Sequence, residues 1–457
     1  MMTNSFEEKI PRIYLTLALA FGVILSLAMP FFNEPDGQYH FMVSSAMTNH
    51  TVDISRYGET AVGTGMDNQK ESYQKGTRFE KYYLTKATIM SPLQSPRNLD
   101  LDNKLSYKYL GHIVPAIGIW VGHRVYSSLG VMITFGRLLS MVVYSLAMYF
   151  IIKKLKFGQL LFMLVSLSPV VVNQFASLSY DALGYVVVAA IVALAMNTLI
   201  NRRIDKVSLL QMLFLAASSF VLVKPNLLLA NLLFPGVIFY VKWMENTHGI
   251  RGFSKLKAYM EERGLFSPKY KIFAISAIVM LGFSVAAYVT SPKGGIFEVI
   301  SRIWMSMTFQ FNNTMSAGSD MGLLVSPYAG FNYMPVWLLG LWFVMVALVL
   351  LADKNEHDSN FISIISLIVA TLGVLSVYYG FLFYGSINPS FGLRFGIQGV
   401  QGRYSTPFLL IIPLIVSNKN LKLKSIGYNR TVIFVVIGII LSNFFLVFNT
   451  LWAMIYV

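Results

Sequence analysis

The chain has 457 residues, of which 55% are hydrophobic, 14% aromatic and only 12% charged. Soluble globular proteins carry about 25% charged residues, so this composition excludes a soluble enzyme and indicates a polytopic membrane protein. The formal net charge of +15 does not point to nucleic acid, because the basic residues lie in short segments between apolar runs, where they orient spans in a bilayer.

The absence of cysteine removes disulfides, thiolate nucleophiles and Cys-based metal sites, and the six histidines are scattered without a His-x-x-x-His pair. Residues 1 to 12 are polar and precede an apolar run from about 13 to 32, long enough to cross a bilayer. Lys9 and Arg12 set the N-terminus on the cytoplasmic side, and without a small-residue cleavage site the run reads as a retained span.

Asn33-Glu34-Pro35-Asp36-Gly37-Gln38-Tyr39-His40-Phe41 follows and opens the longest hydrophilic segment, residues 33–108, expected as an extracellular loop. Asp36 and His40 stand at i, i+4 spacing, which puts a carboxylate and an imidazole on one face of a helix. Two readings stay open: Asn33, Glu34 and Asp36 cap a helix with Pro35 in its first turn, or the acid and the imidazole do chemistry at the membrane surface. Residues 109 to 125 are apolar but short, and are expected to lie in the interface.

The second span, about 129 to 152, contains Arg137, which either faces the protein interior or snorkels to the outer surface. The third and fourth, about 159 to 177 and 182 to 200, form a hairpin with Ser179-Tyr180-Asp181 at its external tip. The fifth and sixth, about 207 to 223 and 226 to 241, turn at Lys224-Pro225-Asn226. Lys224 then needs an anionic partner or a wet cavity, or else reaches headgroups. Residues 242–271 carry a basic cluster and form the main cytoplasmic loop, and a seventh span follows at about 272 to 290. Arg302 and Asp320 lie in the next external loop, and the eighth and ninth spans cover about 336 to 352 and 361 to 380. Residues 381 to 403 return outside and end in Gly399-Val400-Gln401-Gly402-Arg403-Tyr404, before spans at about 404 to 417 and 431 to 454. The expected fold is thus an all-α integral membrane bundle of about eleven helices, one polytopic domain over residues 1–457.

On this topology Asp36, His40, Asp181, Lys224, Arg302, Arg394 and Arg403 meet at the outer face. Carboxylates beside isolated cations suit chemistry on an anionic lipid: cations hold a phosphate leaving group while a carboxylate takes the proton of an attacking hydroxyl. Arg394 and Arg403 alternatively bond loop carbonyls. The chain has neither a P-loop nor a strand-borne Gly-x-Gly-x-x-Gly, so no nucleotide cofactor is expected. A divalent cation held by Asp36 and Asp181 is left open.

Pro35-Asp36 with His40-Phe41 resembles the Pro-Asp-Glu-x-x-His-Phe motif of a family of bacterial polytopic membrane proteins of unknown function. Gly399-Val400-Gln401-Gly402-Arg403-Tyr404 with Pro407 is similar to its late Gly-x-Gln-Gly-Arg-Tyr-x-x-Pro signature, and Ser179-Tyr180-Asp181-Ala182 and Lys224-Pro225 resemble intermediate landmarks. That family is grouped with the GT-C glycosyltransferases. The resemblance implies an inverting transfer of a sugar from a polyprenyl-phosphate donor to a cell-surface glycan or cell-wall acceptor, at the outer face of a bacterial cell membrane. It implies Asp36 as base, with His40 orienting Asp36 or the sugar, and Arg403 with Lys224 or Arg394 on the lipid phosphate. Asp181, Gln401 and Tyr404 belong to the implied binding set. Gly37 stands where the family has Glu, and Glu34 or Asp181 is then the expected second acid. A small flippase partner is implied by analogy. The competing classes are a transporter or flippase of lipid-linked sugars, whose ionisable residues would spread through the midplane, and a polysaccharide polymerase or ligase.

Overall fold

The computed structural model describes residues 6–32, 34–54, 79–90, 101–245, 262–264, 267–308, 318–327, 334–353, 357, 359–384, 397, 400–416 and 427–456. Among them the regular structure is helical, and an antiparallel bridge joins Val52 and Ile89 outside the helices. Six stretches are long and apolar enough to cross a membrane: Glu7–Ala28, Leu129–Lys154, Asp181–Asn201, Pro225–Lys242, Asn360–Phe383 and Tyr428–Leu451. Large apolar side chains such as Phe150, Phe214, Phe283, Ile364 and Phe444 stand exposed along them and along shorter helices. That is the surface of a helical bundle in lipid, where backbone polar groups must be satisfied within each helix.

Helix α1 (Ile10–Ala28) is followed by the short α2 (Gly37–Ala46) and the one-turn α3 (Tyr107–Leu110). Helices α4 (Ile113–Val125) and α5 (Leu129–Lys154) cross with their backbones in near contact. A Cβ on Gly118 would lie 2.5 Å from the Phe135 carbonyl oxygen and 2.6 Å from Gly136 Cα, and one on Gly122 2.8 Å from the Val131 oxygen. Small residues four apart permit this approach, as in membrane helix pairs. With 13 residues, α4 is about 20 Å long, too short to span, and its exposed Ile117 and Trp120 agree with a helix at the interface.

The expected third span is two buried helices, α6 (Gln159–Ser166) and α7 (Pro169–Phe175). The physical reason is Pro169, which forces Ser168 out of the helical region, and Ser168 then caps α7 through Val171 N–H at 3.3 Å. Next come α8 (Asp181–Asn201), α9 (Lys206–Leu222), a 3-10 stretch at Pro225–Leu232 and α10 (Leu233–Glu245). They are followed by α11 (Pro268–Thr290), α12 (Ile296–Thr308), α13 (Gly318–Leu324), α14 (Trp337–Ala352) and α15 (Asn360–Tyr384). Of residues 404–417, expected as a span, the described ones fold instead as 3-10 turns at Gly402–Tyr404 and Thr406–Ile411 and the single turn α16 (Ile412–Val416). Pro407 and Pro413 each remove a helical N–H donor there. Helix α17 (Tyr428–Tyr456) ends the described chain.

The main core joins α1, α5 to α10 and α14 to α17. A second core gathers Phe31, Phe32, Phe41, Val52, Tyr82 and Ala87 against Ile119, Leu129, Met132, Ile133 and Leu178. The described parts of segment 33–108 are therefore packed onto the bundle end rather than strung out as a linker. Residues 55–78 and 91–100 of that segment, and much of 242–271, lie outside the described residues.

Candidate functional site

At one end of the bundle the segment after α1, the start of α8, the turn before Pro225 and the turn at Gly402–Tyr404 converge. Asp36 precedes α2 with a left-handed backbone, φ 57° and ψ 25°. An L-residue other than glycine rarely takes this conformation, and such outliers concentrate at sites of function. The carboxylate makes no capping bond, α2 starts at Gly37, and the capping alternative for Asp36 falls. Its side chain is 62% exposed, and Oδ2 lies 3.5 Å from Arg403 Nη2.

Asp181 is held differently. Its Oδ1 is 2.6 Å from Lys224 Nζ, its Oδ2 is 3.3 Å from Arg403 Nε, and its side chain is 11% exposed. Lys224 thus has the anionic partner that its depth requires and does not depend on headgroups. The ammonium also sits 4.2 Å from the Tyr404 ring centroid and 4.8 Å from that of Tyr180, a cation–π box that orients it. Arg403 is buried, donates from Nη2 to the Tyr404 hydroxyl at 3.1 Å, and leaves Nη1 without a hydrogen-bond partner among the described residues. The guanidinium therefore lies against both acids, which answers the alternative that it serves loop carbonyls. A divalent ion does not fit this donor set among the described residues: both Asp181 oxygens face cations and Arg403 reaches the nearer oxygen of Asp36.

No described side-chain contact joins His40 to Asp36, one of the two groups it was expected to orient. His40 is buried on α2, and its Nδ1 lies 2.8 Å from Nε2 of His112. Burial pushes the His40 pKa well below the usual imidazole value, with His112, Arg403 and Lys224 adding to the shift. His112 is pushed down to about 4, mainly by burial, although the Lys108 carbonyl and Asp181 oppose this. Both rings are neutral near pH 7. Tyr180 presents its edge to both, at 4.9 and 5.3 Å between centroids. His112, Tyr107 and Tyr180 were not among the site residues expected from sequence; 72 positions separate the two histidines, and nothing local marks them as a pair.

Glu34 is not a second acid of this site. It is buried with Arg137, Oε2 to Nη2 2.5 Å, and Arg137 also donates to the carbonyls of Met29 and Pro30 at 2.6 and 3.0 Å. Arg137 therefore faces the interior and does not snorkel. Gly37 has a steric reason: a Cβ there would meet Phe32 Cα at 2.8 Å and the Glu34 side chain at 3.0 Å.

A cavity of about 630 Å³ opens beside the charged cluster, lined by Lys224, Asn226 and Tyr404 at its polar part and by Leu229, Val377 and Phe381 along its wall. Gln401 lines a separate apolar cavity of about 440 Å³ with Tyr378, Val400 and Phe408. Arg394 and the side chain of Asp320 lie outside the described residues, and Arg302 pairs with Glu298 on its own helix at 2.7 Å.

Fold and site define an integral helical membrane protein with an acid–cation pocket at one end of its bundle. The chain belongs to the family described as "Predicted membrane protein (DUF2142)", whose match covers residues 19–412 and so takes in both Asp36 and Arg403. No curated protein and no solved structure matches the chain.

Proposed function

We propose that this protein is a membrane glycosyltransferase of GT-C type that moves a sugar from a polyprenyl-phosphate donor to a glycan acceptor at the outer face of a bacterial membrane. The observation that carries this reading is the contrast between the two acids of the pocket. Asp181 is spoken for by Lys224 and Arg403, whereas Asp36 is exposed, uncapped and held on a strained backbone beside the same arginine.

In the proposed reaction Asp36 takes the proton of an acceptor hydroxyl as its oxygen forms a bond to the anomeric carbon. The bond from that carbon to the phosphate oxygen breaks, its electron pair leaves with the lipid phosphate, and attack from the opposite side inverts the centre. Lys224 and Arg403 stabilise the departing charge, so no strong general acid is needed. The cavity of about 630 Å³ suits such a donor, with Lys224 and Tyr404 at the phosphate and apolar walls for the first isoprene units. Gln401, on the other side of the Gly402–Tyr404 turn, is not assigned to the phosphate.

The test compares the surface-glycan composition of cells carrying the wild-type protein, a deletion and Asp36→Asn at matched expression. Loss of one sugar substituent in both mutants is expected and identifies the donor sugar. Normal glycan with Asp36→Asn, alongside a loss in the deletion, would remove Asp36 as base and return transport to the front.

A further inference from the structure

The contact between His40 and His112 has no part in the transfer described above, yet it dictates a protonation pattern. His112 Nδ1 is in hydrogen-bond contact with the Lys108 carbonyl. A carbonyl only accepts, so His112 Nδ1 carries the proton of this bond. In a neutral imidazole the other nitrogen is then bare, and His112 Nε2 is an acceptor. His40 Nδ1, 2.8 Å away, must supply the hydrogen. That leaves His40 Nε2 with its lone pair, and no other described residue bonds to it.

The neutral state on which this depends follows from the surroundings. Both rings are at most 1% exposed, and Tyr39 and Tyr180 pack against each. The charges of Arg403 and Lys224 oppose a second proton on His40, and Asp181 acts in the opposite sense on His112. Asp181 itself is held by the two cations.

We propose that His112 is a positioning residue: through the Lys108 carbonyl it locks His40 in the Nδ1–H form, so that His40 Nε2 accepts a hydrogen bond from a hydroxyl of the bound sugar. The second half rests on the glycosyl-transfer reading, and the first half does not. A bare nitrogen on a ring within the field of Lys224 and Arg403 would recognise a hydroxyl as an acceptor, complementing two groups that recognise phosphate as donors. The form is informative because a free histidine side chain prefers the opposite tautomer, with the proton on Nε2.

The experiment is nitrogen NMR of the full chain, labelled with [15N]histidine in lipid nanodiscs near neutral pH, with His40→Gln and His112→Gln assigning the two rings. In the wild-type protein both rings are expected neutral, with bare Nε2. His112→Gln keeps an amide oxygen that can accept from His40 Nδ1 and should leave His40 in the same form. His112→Leu offers no acceptor, and His40 should turn to the Nε2–H form, with sugar transfer in cells about tenfold or more below that of His112→Gln. A wild-type His40 protonated at Nε2, or an unchanged His40 in His112→Leu, overturns the lock. Equal transfer in His112→Leu and His112→Gln despite a changed tautomer overturns the role of Nε2. If His112→Leu does not accumulate, the wild-type and His112→Gln spectra decide the lock, and the ratio of their transfer to that of His40→Gln decides the role: equal transfer overturns it. Expected tautomers together with an unaltered surface glycan in the deletion would sink the glycosyl-transfer reading and leave the lock standing.

Discussion

Arg137 and Arg403 both face acids from the stretch that follows α1, and they are held in opposite ways. Arg137 is sealed: its side chain is 0% exposed, Glu34 is 1% exposed, the ion pair is 2.5 Å long, and two carbonyls accept from the same guanidinium, with Nε and the second Glu34 oxygen left without a hydrogen bond among the described residues. Arg403 is nearly as deep at 4% exposed, but its acids stand off at 3.3 and 3.5 Å, one of them 62% exposed, and Nη1 has no hydrogen-bond partner among the described residues. A buried guanidinium with its carboxylate in short contact is a clamp: it ties the segment after α1 to α5, and removing one partner strands a charge. A guanidinium whose acids stand off, beside an open carboxylate and a cavity of about 630 Å³, is placed to engage a ligand.

The comparison can be broken first at Asp36. Asp36→Asn should lower transfer by on the order of 100-fold or more while thermal unfolding of the purified protein stays unchanged, because the side chain is largely exposed. A matching loss of folded protein would make Asp36 structural after all. At the sealed pair the effect should appear in stability. Arg137→Met should cost about 3–5 kcal/mol, and the double change Glu34→Leu with Arg137→Met should recover most of it, since a buried pair replaced by apolar groups is often near neutral. Thermal denaturation in detergent gives both values, and a double variant as unstable as the single one would contradict the clamp.

Arg403→Lys sharpens the contrast on the open side. It keeps the charge and loses the fork, so the donor concentration for half-maximal transfer should rise about tenfold, with acceptor dependence little changed. A shift confined to the acceptor would refute the assignment. The smallest effect is in pH. His112 titrates near 4 in the folded protein against about 6.5 in an unfolded chain. Between those values the unfolded chain binds the extra proton, so stability rises with pH through this window and is level above it. The slope is at most about 1.4 kcal/mol per pH unit from this ring. His112→Gln should flatten that dependence in thermal scans, and an unaltered slope would assign it to other groups.

Much of the fold was legible because it rests on local properties. Stretches near twenty apolar residues must be helical in lipid, and the α1, α5, α8, α15 and α17 spans lie within a few residues of their expected positions. The breaks were harder. Pro169, Pro407 and Pro413 were visible, yet membrane helices tolerate proline where neighbours satisfy the backbone, so hydropathy alone counted two spans where packing made short buried pieces.

The same division holds at the site. Residue type and order sufficed to single out Asp36, Asp181, Lys224 and Arg403, because a charge near hydrocarbon depth is costly and needs a reason. Only the tertiary structure decided the pairings. Glu34 and Asp36 are two positions apart, but the turn into α2 sends one to Arg137 and the other to the open pocket. His40 turns from the acid one helical turn before it to a histidine 72 positions on. Hydropathy is a sum over neighbours in the chain, whereas a pairing is set by distances between segments far apart in it. The membrane bundle was therefore written along the sequence, and the partner of each charge was settled by how its helices pack.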